Sequence, residues 1–570
     1  MTPSSIKIRL ACLPLIVFAL HPVTPAGFPN QGEKDPRAEK VDKIFAQWDK
    51  PDSPGCELVV IKDGQIVYKR GYGMANLEHN IPMSPASIMD TGSVSKQFTA
   101  MAIALLAEQG KLSLDDDVRK YLPEIPQYEA PITIRHLIHH TSGIRDYLTL
   151  MSIAGMRDDD YYVDGEVVSL LARQKELNFR PGSEFLYSNS GYFLLSQIVK
   201  RASGKTLREF ADENMFKPLG MTRTKFYDDH NEIVKNRAAS YVSRRGGGFQ
   251  IAATALDMVG DGNVFTCVED LFLWDQNFYH NKLGKGGQEM INQVLTTGTL
   301  NSGEKIDYAF GLVIGEYRGL RIVEHGGAFV GYRAMTMRFP DQRFSVILQC
   351  NLGTMNPSNL ARRVADIYLA DQFKAEAMGA QKPEAKFIEL PEQDLKDKAG
   401  AYRNQINGVI WKLYVKDGKL FADVPNLSIR FGAVSATEFR SIGTPVEFAL
   451  RFEKQGQTPA LRMQRGADKP VTLEAVQLVT PTPAQLAEYT GDYRSDEVQV
   501  TYRIVLESGK LFLRHENEYK GYPKNPLEPT TSDTFFVQGT SLRFTRDARK
   551  QVSAFTLNAG RVKNIRFGRK

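Results

Sequence analysis

Two stretches in the last third of this sequence recur at one offset. Gly400-Ala401-Tyr402 answers to Gly491-Asp492-Tyr493, and Gly418-Lys419-Leu420-Phe421 to Gly509-Lys510-Leu511-Phe512; 491 − 400 and 509 − 418 both give 91. Two matches at the same spacing mark one structural unit present twice. Each copy alternates apolar and polar residues between polar turns and carries little helical pattern, which suits a small antiparallel barrel or a curved sheet. The units span 393–480 and 483–570. Ahead of them Lys374 to Gln393 is rich in Ala, Glu, Lys and Pro, so 379–392 is expected to be a linker. That leaves 27–378 as a larger domain of a different kind.

The first residues carry the marks of an export signal. Lys7 and Arg9 precede the apolar run Leu10 to Leu20, which is too short to cross a bilayer. Thr24 and Ala26 offer small residues for cleavage, so residues 1–26 are expected to be a signal peptide and the protein periplasmic or secreted. No later run is long and apolar enough for a membrane span. The net charge of +6 is not gathered into a basic block, and no nucleic-acid partner is expected. Cys56, Cys267 and Cys350 are scattered and flanked by apolar residues, which reads as small core residues.

In the large domain, Thr91-Gly92-Ser93-Val94-Ser95-Lys96 runs into the apolar stretch Phe98 to Leu106. That predicts a loop entering a helix near Ser93, with Lys96 on the same face three residues on. A serine hydroxyl needs a neighbour to take its proton before it attacks an acyl group, and Lys96 is placed to be that neighbour. The pair suggests acyl transfer.

Three further clusters stand out. His136-Leu137-Ile138-His139-His140 lacks the spacing and the acidic partner of a metal site and reads as a helix end with structural histidines. Tyr187-Ser188-Asn189 sits on a loop before an apolar helix; a phenol near a cation can move protons and an amide can hold a substrate amide. A β-meander over 308–350 carries Glu324-His325-Gly326-Gly327-Ala328-Phe329 between its second and third strands, where glycines allow a close backbone approach.

The order Ser93-x-x-Lys96, then Tyr187-x-Asn189, then His325-x-Gly327 resembles the penicillin-recognising serine hydrolases, in particular their class C β-lactamase branch. The resemblance covers about residues 35–375. With two β units behind it, the chain is most similar to bacterial D-aminopeptidases. The implied fold class is α+β: a β-lactamase-like, transpeptidase-type domain with an antiparallel sheet flanked by helices, followed by two small antiparallel β-barrel domains. By residue match the resemblance implies Ser93 as nucleophile, Lys96 as its partner and Tyr187 as shared general base and proton donor to the leaving group. It implies Asn189 as a substrate-amide contact, the His325–Gly327 strand as one wall of the site, and the N–H groups of Ser93 and Ala328 as oxyanion hole. It implies no metal and no cofactor.

Many relatives carry Lys-Thr-Gly where this chain has His325-Gly326-Gly327. A neutral His and a Gly without hydroxyl suggest a substrate lacking a terminal carboxylate: an amide with a free D-amino terminus, or an ester. The substrate is thus expected to be a small peptide or ester, cell-wall-derived ones included. An esterase, a β-lactamase or D-alanyl-D-alanine carboxypeptidase, and a slowly deacylating β-lactam sensor are the alternatives. In D-aminopeptidases a tail loop helps recognise the amine; here His515 to Thr534, with Glu516, Glu518 and Asp533, is the candidate.

Overall fold

The computed structural model describes residues 35–157, 160–373, 387–404, 408–424, 427–444, 447–455, 458–466, 470–516 and 526–570. The signal segment and Glu518 lie outside them.

The large domain is built on a six-stranded antiparallel sheet. The apolar run at Cys56–Lys62 turns through Asp63 and Gly64, both at positive φ (51° and 79°), into Gln65–Tyr72. Two left-handed positions make the tight hairpin that matches strand twist. From one edge to the other the strands are Val313–Tyr317, Leu320–Phe329, Tyr332–Phe339, Phe344–Cys350, Cys56–Lys62 and Gln65–Tyr72. Residues 324–329, expected between strands, are instead the end of the strand Leu320–Phe329, with Gly327 opposite Ala334. Their glycines lower strand propensity, but pairing with the next strand overrides it.

The strand Cys56–Lys62 is buried on both faces, which is why it reads as one apolar run. Leu58 and Val60, with Val346 and Leu348, pack against Val41, Phe45, Leu360 and Val364 from the helices Pro36–Phe45 and Pro357–Tyr368. Val59, Ile61 and Ile347 face the larger core. At the centre of that core is the helix Lys96–Glu108, buried from Lys96 to Leu106. A helix apolar on all sides can only be stable inside a core. Cys56 lies opposite Cys350 in register, and the two are joined by a disulfide. The expectation that both are plain core residues is corrected here; among the described residues Cys267 alone is a free, buried thiol. With a sequence separation of 294 between the partners, nothing local betrays the pairing.

Two closed barrels follow, each of eight antiparallel strands joined neighbour to neighbour. Strands Gly400–Asn404 and Lys419–Val424 recur at Gly491–Ser495 and Lys510–His515, and the lead-in helix Glu392–Lys396 at Pro483–Ala487, all at the offset of 91. Eight strands leave an interior that side chains fill: Leu413, Leu420, Phe431 and Leu461 in the first, Tyr493, Ile504, Phe555 and Phe567 in the second. The expected linker is not all connector. Ile388 bridges to Ala433, and the helix Glu392–Lys396 packs on the first barrel. The second barrel shares one continuous apolar core with the large domain, whereas the first has its own. No helix among the described residues is long and apolar enough to cross a membrane.

Candidate active site

Gly92–Ser95 forms one 3-10 turn that hands over to the helix at Lys96. Asp90 fixes its start by accepting a hydrogen bond from the Gly92 N–H at 2.7 Å. Burial pushes the Asp90 carboxyl up to about 7. The Lys96 ammonium, fully buried, donates to Ser93 Oγ at 3.1 Å, to Asn189 Oδ1 at 3.0 Å and to the Asp261 carbonyl at 2.6 Å. Its three protons are thereby directed, one of them at Ser93.

Tyr187 is the last residue but one before the helix Asn189–Ser203. The start of that helix is held by the segment 145–147: the Asn189 N–H donates to Asp146 Oδ2 at 2.8 Å, and Ser190 Oγ donates to the Arg145 carbonyl at 2.7 Å. The Tyr187 ring lies 4.9 Å from Lys96 Nζ, measured to its centroid, and 4.2 Å from the ring of His140. The buried Tyr187 hydroxyl has no hydrogen-bond partner in the structure. Burial, then the charge of Lys96, holds His140 well below the usual histidine range. Its Nδ1 accepts from the Ser188 N–H at 3.1 Å, so it acts as a strut under Tyr187. His139 donates to the Tyr308 carbonyl at 3.0 Å, and His136 closes the cap of its own helix.

The strand Leu320–Phe329 passes directly over the Ser93 turn. A β-carbon on Gly327 would stand 1.8 Å from the Thr91 carbonyl oxygen and 3.2 Å from Ser93 N, and one on Gly92 would stand 2.7 Å from Ala328 N. The N–H groups of Ser93 and Ala328 therefore flank one seam. The close approach that the glycines permit is of this turn, not only of a substrate. Gly326, by contrast, has nothing nearer than 3.8 Å. His325 is buried; its Nδ1 donates to the Gly326 carbonyl at 2.7 Å and its Nε2 accepts from Tyr308 at 3.1 Å. Burial, then Lys96, brings it down to about 4, so it is neutral at pH 7 as its sequence implies. Ser93, Asn189 and Ala328 line a cavity of about 50 Å³ walled by Leu148, Leu256, Met258 and Phe329.

The structure thus brings Ser93, Lys96, Tyr187, Asn189, His325, Gly327 and Ala328 around one cleft. Asn189 differs from expectation in part: its carbonyl is taken by Lys96, which leaves its NH2 for a ligand. His140 is structural as expected, while sequence reasoning missed Asp146, Asp261, Tyr308 and Arg561. Asp261, pushed up to about 6 by burial against the pull of Lys96, accepts from Tyr147. None of these stands in a motif, because each reaches the site from a distant segment.

Of the candidate tail loop 515–534, residues 517–525 lie outside the described residues. Glu516 accepts from the Thr501 N–H, and Asp533 is bound to Tyr489 and Arg546, so both are used within the second barrel. Among the described residues of the second barrel, the turn at Gly560–Arg561, between the strands Val552–Ala559 and Val562–Arg569, reaches the cleft. It places the Arg561 guanidinium 4.8 Å from the centroid of the Tyr187 ring. Buried Arg145 anchors it, donating to the carbonyls of Lys563 (2.9 Å) and Asn564 (3.1 Å) and pairing with buried Glu497 at 2.5 Å. Asn178 clasps the turn from both sides, donating to the Arg561 carbonyl and accepting from the Lys563 N–H, each at 2.8 Å.

Comparison with known proteins gives the family. A D-aminopeptidase of Brucella anthropi is 26% identical over 533 residues, 90% of this chain and 95% of that protein. A penicillin-binding protein of Bacillus subtilis is 33% identical over 310 residues, 52% of this chain and 67% of that one. The octameric penicillin-binding protein homologue from Pyrococcus abyssi shares the fold, with a TM-score of 0.54 at 24% identity over 77% of this chain and 99% of its own. Residues 41–370 match the Beta-lactamase family, and the chain belongs to that family of serine hydrolases.

Proposed function

We propose that this protein is an exported D-aminopeptidase-like hydrolase that cleaves amide bonds through an acyl-enzyme on Ser93. The observation that carries the reading is the Lys96–Ser93 hydrogen bond at 3.1 Å beside a Tyr187 hydroxyl left without a partner. Ser93 Oγ attacks the substrate carbonyl as its proton passes to Tyr187 in its phenolate form, which the neighbouring Lys96 ammonium stabilises. The oxyanion forms in the seam between the N–H groups of Ser93 and Ala328, donors worth about 3 kcal/mol each in the transition state. Tyr187 gives a proton to the leaving nitrogen, the C–N bond breaks, and water then releases the acyl group by the same path in reverse.

Two features support the finer parts of this reading. The likeness to a D-aminopeptidase runs over 90% of the chain, well beyond the family match at 41–370. The cavity of about 50 Å³ beside Ser93 suits a methyl-sized acyl side chain. Export rests on the disulfide between Cys56 and Cys350, a bond typical of oxidising compartments, together with the signal-like N-terminus. The test is hydrolysis of D-alanine p-nitroanilide beside its L-isomer and p-nitrophenyl butyrate, with Ser93→Ala as control. D-selective amide cleavage lost in the variant supports the proposal. Ester cleavage alone moves the enzyme to the esterases, and activity retained by the variant removes Ser93 from its role.

A further inference from the structure

Arg561 has no role in the steps above, yet it is placed to touch them. It comes from the second barrel and lies 4.8 Å from the centroid of the Tyr187 ring. Lys96 Nζ lies 4.9 Å from the same centroid, so the two cations stand within about 10 Å of each other, the sum of those distances. Cations gather on an aromatic face through its quadrupole, but that attraction leaves the guanidinium's fork of N–H donors unused.

The only carboxylate that meets Arg561 among the described residues is Asp146, at 3.6 Å, beyond hydrogen-bond range. Asp146 is itself committed: its oxygens accept from the N–H groups of Asn189 and Thr149, and its side chain is 2% exposed. The Arg561 side chain, in contrast, is 42% exposed. A half-exposed guanidinium held near the proposed proton donor, with only this long ion pair to Asp146, has donors free for a second anion.

We infer that Arg561 is a specificity-determining residue that binds a carboxylate on the leaving group, so that the preferred substrates are peptides whose released amino acid carries a free carboxylate. The inference rests on the proposed role of Tyr187, which puts the scissile nitrogen at its hydroxyl. The carboxyl carbon of the leaving residue lies about 2.5 Å from that nitrogen, two bonds on, and the Arg561 guanidinium stands 4.8 Å from the centroid of the same Tyr187 ring. The barrel thus supplies the positive charge that neutral His325 does not. This reverses the expectation, drawn from His325 and Gly326, of a substrate without that carboxylate.

The hairpin is built to hold such a group in place. The Arg561 carbonyl and the Lys563 N–H are clasped by one Asn178 side chain, and the carbonyls of Lys563 and Asn564 by buried Arg145. Fixed backbone on both sides of a binding residue reduces the ordering that binding costs.

The test compares matched pairs that differ only in the leaving-group carboxylate. One pair is D-alanyl-D-alanine and D-alanyl-D-alaninamide; the other is 3-carboxyphenyl butyrate and phenyl butyrate. Each is measured as kcat/KM with wild type, Arg561→Gln, Arg561→Lys and Ser93→Ala. Wild type should favour the carboxylate member of each pair. Arg561→Gln should lower kcat/KM for that member about tenfold to a hundredfold, the scale of a lost charge-assisted hydrogen bond, and change the neutral member less than about threefold. Arg561→Lys should recover part of the loss. Equal losses on both members, or no carboxylate preference in wild type, inactivity on both pairs included, overturn the inference. The ester pair keeps the two proposals apart: a carboxylate effect on esters without cleavage of either D-alanyl compound sinks the D-aminopeptidase reading and keeps Arg561.

Discussion

Gly327 is packed against Thr91 so closely that a β-carbon would stand 1.8 Å from the Thr91 carbonyl oxygen. The obstacle is backbone on a buried turn, so it cannot swing aside. Gly327→Ala must part the strand from the Ser93 turn and open the seam between Ser93 N–H and Ala328 N–H. It is expected to cost about 1–3 kcal/mol of stability and to remove most hydrolytic activity. Gly326→Ala, with nothing nearer than 3.8 Å, should alter stability by less than about 0.5 kcal/mol. Thermal unfolding and ester turnover of the two variants check this, and equal behaviour would contradict it.

Asp90 makes the turn sensitive to pH. Burial raises its carboxyl from 3.8 to about 7 in the folded protein, so between those values the folded state holds a proton that the unfolded chain has lost. Stability from this group is therefore full at low pH and falls as pH rises toward 7, by about 4 kcal/mol at most. Asp90→Asn keeps an acceptor for the Gly92 N–H and removes the titration. The difference in stability between wild type and variant, followed by denaturant unfolding from pH 4 to 8, should change in favour of the variant as pH rises. His139 and His325, both lowered to about 4, contribute with the opposite sign, losing stability as pH falls through that range, and cancel in the difference.

The Arg145–Glu497 pair joins the second barrel to the large domain, with side chains 0% and 5% exposed. Removing one partner strands the other as a buried charge, so Arg145→Ala or Glu497→Ala should each destabilise by about 3–5 kcal/mol. Arg145→Met with Glu497→Leu should lose less than either alone. Limited proteolysis of the barrel junction, read beside unfolding, reports the ranking; a double variant worse than both singles would refute it.

The disulfide gives a chemical check. In the unfolded but unreduced protein, Cys267 should alkylate with iodoacetamide while Cys56 and Cys350 should not, and reduction should expose both. Peptide mass spectrometry reads all three sites. Labelled Cys56 before reduction would rule the bond out.

What the sequence discloses is local or periodic. The hairpin at Asp63-Gly64, the apolar helix behind Lys96 and the duplicated barrel are all legible because turn chemistry, composition and repetition act within a few residues of one another. Ser93 and Lys96 are legible for the same reason, being one helical turn apart. Asp146, Asp261 and Arg561 are not, since their neighbours are set by packing: Arg145 and Lys563 meet across 418 residues. Glu516 and Asp533 mislead because acidic residues in a polar loop look available until their barrel partners are seen. The strand that carries His325 was hidden by its glycines, which are there for the turn beneath it.

The bond between Cys56 and Cys350 encloses in one covalent loop every residue that lines the cleft except Arg561. A cut in any exposed loop between them leaves two pieces that cannot diffuse apart. Nicked protein therefore keeps its apparent mass under non-reducing conditions and splits only once the disulfide is opened. A preparation that has met proteases can pass for intact, and its activity can belong to a molecule already in two parts.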